Sequence, residues 1–126
     1  MIRGVLLPII TPFDERARID EEVMRELVDF HIGAGIQGLF VLGSTGQGPA
    51  MSVEERKKAA AVALDQARSR VPVIIHVGTA DTESTVELAE HAAAHKADAV
   101  AIVPPYYTRI IRSTRLSRTT KPSPKR

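Results

Sequence analysis

The stretch Gly43-Ser44-Thr45-Gly46-Gln47-Gly48 sets two adjacent hydroxyls among three glycines, between an apolar run and a helix-like segment. Glycines there let backbone N–H groups face a ligand, and a helix N-terminus beside them favours an anion, so a carboxylate or phosphate would be well received. A turn that needs glycine only for its dihedrals accounts for the same residues. The order is not G-x-G-x-x-G, and the lysine of G-x-x-x-x-G-K-[ST] is missing, so neither nucleotide signature applies. Tyr106 and Tyr107 are the only tyrosines in a chain without tryptophan. A phenol after a strand can pass a proton or hold a carbonyl oxygen, or it can pack or touch a neighbouring subunit. His91 and His95 stand one helical turn apart, but no acid completes an H-E-x-x-H pattern, and they read as a half-exposed helix face without a metal. His76 and His31 read as structural.

These residues need elements to hold them. Four branched apolar runs, at 5–10, 38–42, 73–77 and 99–103, predict strands buried on both faces, as in parallel sheets. Pro8 sits awkwardly in the first, because it cannot donate to a ladder. Three helix-period segments lie between the runs. The first starts at Asp20-Glu21-Glu22 and puts Val23, Met24, Leu27, Val28 and His31 on one stripe. The second opens on Ser52-Val53-Glu54-Glu55, a capping-box pattern, and runs to about Arg70. The third starts near Asp81 or Thr82, with Val86, Ala89 and Ala93 on one face. Strand and helix alternate with a repeat of roughly 25–35 residues, as βα units do, which leaves a doubly wound sheet and a (β/α)8 barrel both open. Either architecture places function in the loops after the strands.

The 126 residues carry a net charge of +2 that hides an asymmetry: residues 1–108 hold ten basic and fifteen acidic residues, residues 109–126 seven basic and none acidic. The basic character belongs to the tail, so nucleic-acid binding by the whole domain is not expected. With no cysteine there are no disulfides or thiolate metal sites. No small-residue cleavage site follows the N-terminal apolar run, and no run approaches the roughly 18 residues of a membrane helix, so the chain is read as cytoplasmic, with no membrane partner.

GVLLPIITPFD at the start, GSTGQGPAMSVEER after the second run, VIIHVG as the third and PPYY after the fourth, in this order and at these distances, resemble the dihydrodipicolinate synthase / N-acetylneuraminate lyase family of class I aldolase type. The resemblance covers about residues 3–108. It implies the first half, about four βα units, of a (β/α)8 TIM barrel over residues 1–108, followed by a basic, non-family tail at 109–126 that is expected to be disordered. It also implies lyase chemistry on pyruvate or a related 2-oxo acid held as a Schiff base on a lysine, with no cofactor and no metal, in a homo-oligomer. Ser44 and Thr45 would be the carboxylate-binding pair. Ser44 and Tyr107 would serve as catalytic groups of a proton relay, Tyr107 reaching in from a neighbouring subunit. Gln47 departs from the family's usual Glu, and Gly48-Pro49 is uncommon there.

In the family, the relay tyrosine after the fifth strand and the Schiff-base lysine on the sixth both correspond to positions beyond residue 126. Lys57 and Lys58 lie in the second helix, Lys96 precedes the fourth strand, and Lys121 and Lys125 are in the tail. None offers both a depressed pKa and a place beside a bound carbonyl. The chain is therefore expected to be inactive alone and to self-associate through unpaired strand edges. The Arg/Ser/Thr/Pro bias after Thr108 is what a wrong reading frame yields, so a frameshift near Arg109 is expected. The alternative is a non-enzymatic anion- or nucleic-acid-binding module that uses the basic tail.

Overall fold

The computed structural model describes residues 1–104 and Tyr106, and the segment at 109–126 lies outside them. Four strands, β1 (Leu6–Pro8), β2 (Gly38–Val41), β3 (Val73–His76) and β4 (Ala99–Ala101), alternate with three helices, α1 (Glu21–Gly33), α2 (Val53–Ala67) and α3 (Thr82–Ala94). All neighbours are parallel, and the sheet order is β1-β2-β3-β4. A doubly wound sheet reverses its order at a switch point, whereas a barrel adds each strand beside the last. The unreversed order, in register through Leu7↔Leu39, Phe40↔Ile74 and Ile75↔Val100, is that of a barrel wall.

Each strand is shorter than its apolar run, because the residues that follow turn into loops. Leu42 closes β2 by entering the left-handed region at φ 65°. Pro8 is tolerated because of its position on an edge strand. Gly38 N–H donates to Val5 O and Ile9 N–H to Phe40 O, so by alternation the missing N–H of Pro8 faces away from β2.

Burial is one-sided where the apolar runs predict two buried faces. Leu39, Val41, Val73, Ile75 and Val77 pack under the helices against Met24, Val28, Ala63, Leu88 and Ala92. Phe40 and Ile74 alternate to the opposite face and stay half-buried. On that face His76, at the end of β3, is buried, while Val5, Ile10, Val100 and Ile102 at the edges are exposed.

The helix starts follow the caps read from the sequence. Asp20 accepts from Val23 N–H at 3.1 Å, and the box on α2 closes both ways, Glu55 N–H to Ser52 Oγ at 3.2 Å and Ser52 N–H to Glu55 Oε2 at 2.8 Å. The stripes differ from expectation. On α1, Met24 and Val28 are buried, Leu27 and His31 are half-buried and Val23 is exposed. The flank of α1 is engaged instead by ion pairs to α2, Arg25 with Asp65 and Glu21 with Lys58. On α3 the buried line is Thr85, Leu88 and Ala92, leaving Val86 and Ala93 exposed and Ala89 half-buried. The Thr85 hydroxyl is satisfied in that buried position, since it receives Thr79 N–H at 3.1 Å and donates to Asp81 O at 2.9 Å. α2 ends at Ala67, three residues short of Arg70, because Arg68 and Ser69 take φ of 48° and 57°.

Candidate functional site

The loops after β2 and β4, with the end of β3, line an open cavity of about 580 Å³ at the C-terminal ends of the strands, bounded by Phe40, Gly43, Ser44, His76, Val103 and Tyr106 among others. Its tightest wall is the glycine-rich loop. A Cβ on Gly48 would stand 1.9 Å from the Leu42 carbonyl oxygen, and one on Gly46 would stand 3.0 Å from Ile9 O. The loop is folded onto the end of β2, held by Gly48 N–H to Gly43 O and Gln47 N–H to Ser44 O, both at 3.1 Å. From the end of β1, the buried Thr11 hydroxyl donates to Gly46 O at 2.6 Å. Left-handed Leu42 costs about 1–2 kcal/mol relative to a right-handed residue, and these contacts over-determine it.

This folding leaves the N–H groups of Ser44 and Thr45 without an acceptor among the described residues. Both residues are exposed, and Ser44 lines the cavity whereas Thr45 stands beside it on the same loop. The helix dipole expected to assist them is absent from the site. A 3₁₀ turn, Gly48–Ala50, separates the loop from α2, whose own first turn is closed by Ser52 and Glu55. Any anion here is held by loop N–H groups and hydroxyls.

Beneath the cavity lies a group that helical periodicity concealed. Arg56, in the charged run Glu54-Glu55-Arg56-Lys57-Lys58, is only 2% exposed. Its Nη2 donates to His76 O at 2.6 Å and meets His76 Nδ1 at 3.3 Å, while Nη1 donates to Gly78 O at 2.9 Å. Its Nε–H finds no acceptor among the described residues. Burial pulls the Arg56 guanidinium below its ordinary range, and the Tyr106 phenol acts in the opposite sense. Burial likewise lowers the His76 imidazole, the Arg56 charge adds to it, and a backbone hydrogen bond at Leu42 opposes both. His76, read as structural, is thus structural and also part of the cavity wall. Arg56 and Thr11 are the residues the sequence reading missed. Their partners lie 20 to 35 residues away, beyond any local pattern.

The other named residues separate from the site. Tyr106 lines the cavity, and Tyr107 lies outside the described residues. His91 and His95 stack at 4.1 Å, with no cluster of three or more His, Cys, Asp or Glu placed for a metal among the described residues. Lys57 is paired with Glu54 and Glu87, which raise its pKa, the reverse of what a Schiff-base amine requires. Lys58 pairs with Glu21 at 2.8 Å. Lys96 lines a separate hollow with Arg68, Asp98 and His95, away from the loops after the strands. Lys121 and Lys125 lie outside the described residues. Among those residues no helix is long and apolar enough to cross a membrane.

Comparison with known proteins agrees with this geometry. A family model described as the dihydrodipicolinate synthetase family matches residues 1–114, reaching into the segment read as a tail. The 4-hydroxy-tetrahydrodipicolinate synthase of Bartonella bacilliformis is 41% identical over 109 residues, covering 86% of this chain and 37% of its own length. The N-acetylneuraminate lyase of Salmonella paratyphi B is 40% identical over 106 residues, covering 84% and 36%. Among solved structures, a prophage protein of the dihydrodipicolinic acid synthase family from E. coli K12, in complex with pyruvate, superposes with a TM-score of 0.88 at 36% identity, over 92% of this chain and 39% of that one. The chain thus spans somewhat over a third of the length of the relatives it matches, as part of a barrel does. The alternative of a binding module built on the basic tail draws no support from these matches.

Proposed function

The chain belongs to the dihydrodipicolinate synthetase family, and on that premise we propose that its cavity seats the carboxylate of pyruvate or a related 2-oxo acid for aldolase-type lyase chemistry. Ser44 and Thr45 bind the carboxylate through their N–H groups and hydroxyls, and Ser44 also takes part in proton transfer. Tyr107, supplied by a neighbouring copy in a homo-oligomer, completes that relay. The observation that carries this reading is the pair of N–H groups without acceptors at the rim of the cavity, on a loop whose shape Thr11, Leu42 and the glycines fix. A carboxylate answers two adjacent donors and is stabilised further by hydroxyls.

None of the described lysines, Lys57, Lys58 and Lys96, is placed to form the Schiff base, so the described residues bind the acid without capturing it covalently. Titrating the labelled chain with pyruvate should move the amide signals of residues 43–48 before any others. Ser44→Ala with Thr45→Val should weaken binding about tenfold or more, as loss of hydrogen bonds to a charged group does. Pyruvate-induced shifts elsewhere, with the loop silent, would refute the seat. Borohydride reduction with pyruvate should leave the mass unchanged, and a stoichiometric adduct on any lysine would overturn the assignment.

A further inference from the structure

We propose that Phe40 is the specificity-determining residue of the cavity, its ring and apolar neighbours selecting a 2-oxo acid with an uncharged, branched tail over one whose tail carries a second charge. The inference deepens the carboxylate seat proposed above and rests on it. Phe40 belongs to β2 but alternates away from its helix-covered neighbours Leu39 and Val41, so its half-buried ring lines the cavity. The ring also stands next to the seat. A Cβ added to Gly43 would lie 2.5 Å from Phe40 Cε1 and 3.1 Å from Cδ1, so the ring edge rests against the backbone of the residue that precedes Ser44. A tail that extends from a carboxylate held at Ser44 has that ring within reach. Around it the wall continues in carbon and neutral groups. The His76 ring stands 6.3 Å from Phe40, centroid to centroid, and is neutral, because Arg56 Nη2, a donor only, approaches its Nδ1 at 3.3 Å. Pro49 lines the cavity from the 3₁₀ turn and Val103 from the segment after β4, while Gln47 beside them is an amide and not an acid. His76 and Val103 meet across Gly78, where an added Cβ would stand 3.2 Å from His76 Cε1 and Nε2 and from Val103 N. The buried Arg56 guanidinium keeps Nη1 on Gly78 O and Nη2 on His76 O. An aliphatic tail therefore leaves water on this wall, whereas a carboxylate tail would exchange water for carbon with no charged partner among the described lining residues.

NMR titration of the labelled full chain with pyruvate, 4-methyl-2-oxopentanoate and 2-oxoglutarate tests this, with the amide signals of residues 43–48 reporting on the seat and the Phe40 ring signals on the tail. The branched acid should bind about tenfold tighter than pyruvate, as when roughly half of its added carbon leaves water, and 2-oxoglutarate should bind no tighter than pyruvate. Methyl protons of the branched acid should show nuclear Overhauser contacts to the Phe40 ring. Phe40→Ala should cut the preference for the branched acid over pyruvate about fivefold, whatever happens to each affinity alone. A merely structural role for Phe40 would weaken both acids alike, and an unchanged ratio would overturn the proposal. Where Phe40→Ala does not fold, the Overhauser contacts and the three affinities of the unaltered chain decide. If pyruvate moves the loop signals but the branched acid binds no tighter, shows no contact to Phe40, or yields to 2-oxoglutarate, the selectivity is refuted and the seat stands. If none of the three acids moves the loop, both fall.

Discussion

Gly48→Ala is the sharpest perturbation available to the loop. Gly48 is not in the left-handed region, so alanine suits its backbone, and the whole effect must come from space. The added Cβ would stand 1.9 Å from Leu42 O and 2.8 Å from Leu42 C, where real Cβ contacts fall no closer than 3.0 Å. Both obstacles are backbone, and the loop or the end of β2 must part by about an ångström, which breaks the geometry of Gly48 N–H on Gly43 O. Overpacking of this kind costs about 1–3 kcal/mol, and a lost loop hydrogen bond adds about 1 kcal/mol. Urea unfolding should show a lower midpoint at unchanged slope, because the strands and helices stay formed. The amide signals of residues 43–48 should move, and pyruvate binding should weaken more than the stability loss alone explains. An unchanged midpoint together with unchanged loop signals would refute the reasoning that close approach, rather than turn dihedrals, is why glycine stands at 48.

Other outcomes follow from the same geometry. Gly33→Ala, at the end of α1 with nothing within 4 Å of its added Cβ, should stabilise the chain by about 0.4–1 kcal/mol in urea unfolding. Ser52→Ala removes the hydroxyl half of the capping box on α2, leaves Ser52 N–H on the Glu55 carboxylate, and should cost about 1 kcal/mol, with circular dichroism showing a frayed first turn. Acid should destabilise the fold in two stages. Below the ordinary histidine value of 6.5 the unfolded chain binds protons that folded His76 and His91, both lowered, still refuse, so the unfolding midpoint falls from there downward. Below the ordinary aspartate value of 3.8 the unfolded chain binds protons that folded Asp14 and Asp81, both lowered, still refuse, and a second fall begins that ends only when they too are protonated. His76→Gln should shrink the first stage and leave the second, and an identical pH profile would contradict the burial of His76.

Much of the fold was legible because its signals are local. Capping at Asp20 and Ser52, the branched runs and the glycine-rich loop each depend on residues within a turn or two. Stripes were less legible: on α3, Val86 and Ala93 carry the apolar pattern, yet the buried line runs through Thr85, whose hydroxyl bonds to Thr79 and Asp81 let a polar residue be buried there. Two-sided burial was overcalled because a parallel strand reads as apolar on both faces whether or not the second face is covered among the described residues. At the site, Ser44 and Thr45 came from the motif, whereas the expected helix dipole did not survive the 3₁₀ turn that separates the loop from α2.

The sequence by itself determined the alternation of strand and helix, where each helix starts, and that a hydroxyl-bearing glycine loop follows the second strand. These are set by near neighbours, through backbone dihedrals, caps and periodicity. Periodicity left a doubly wound sheet and a barrel wall both open, the resemblance implied the barrel, and the tertiary structure shows it in the strand order, a relation among elements dozens of residues apart. Tertiary structure alone brought Thr11 under Gly46 and sank Arg56 from a run of charges to His76 and Gly78. A buried guanidinium is tolerated only where carbonyls and a ring nitrogen converge on it, and that convergence exists only once β3 lies beside β2 with α2 packed across them.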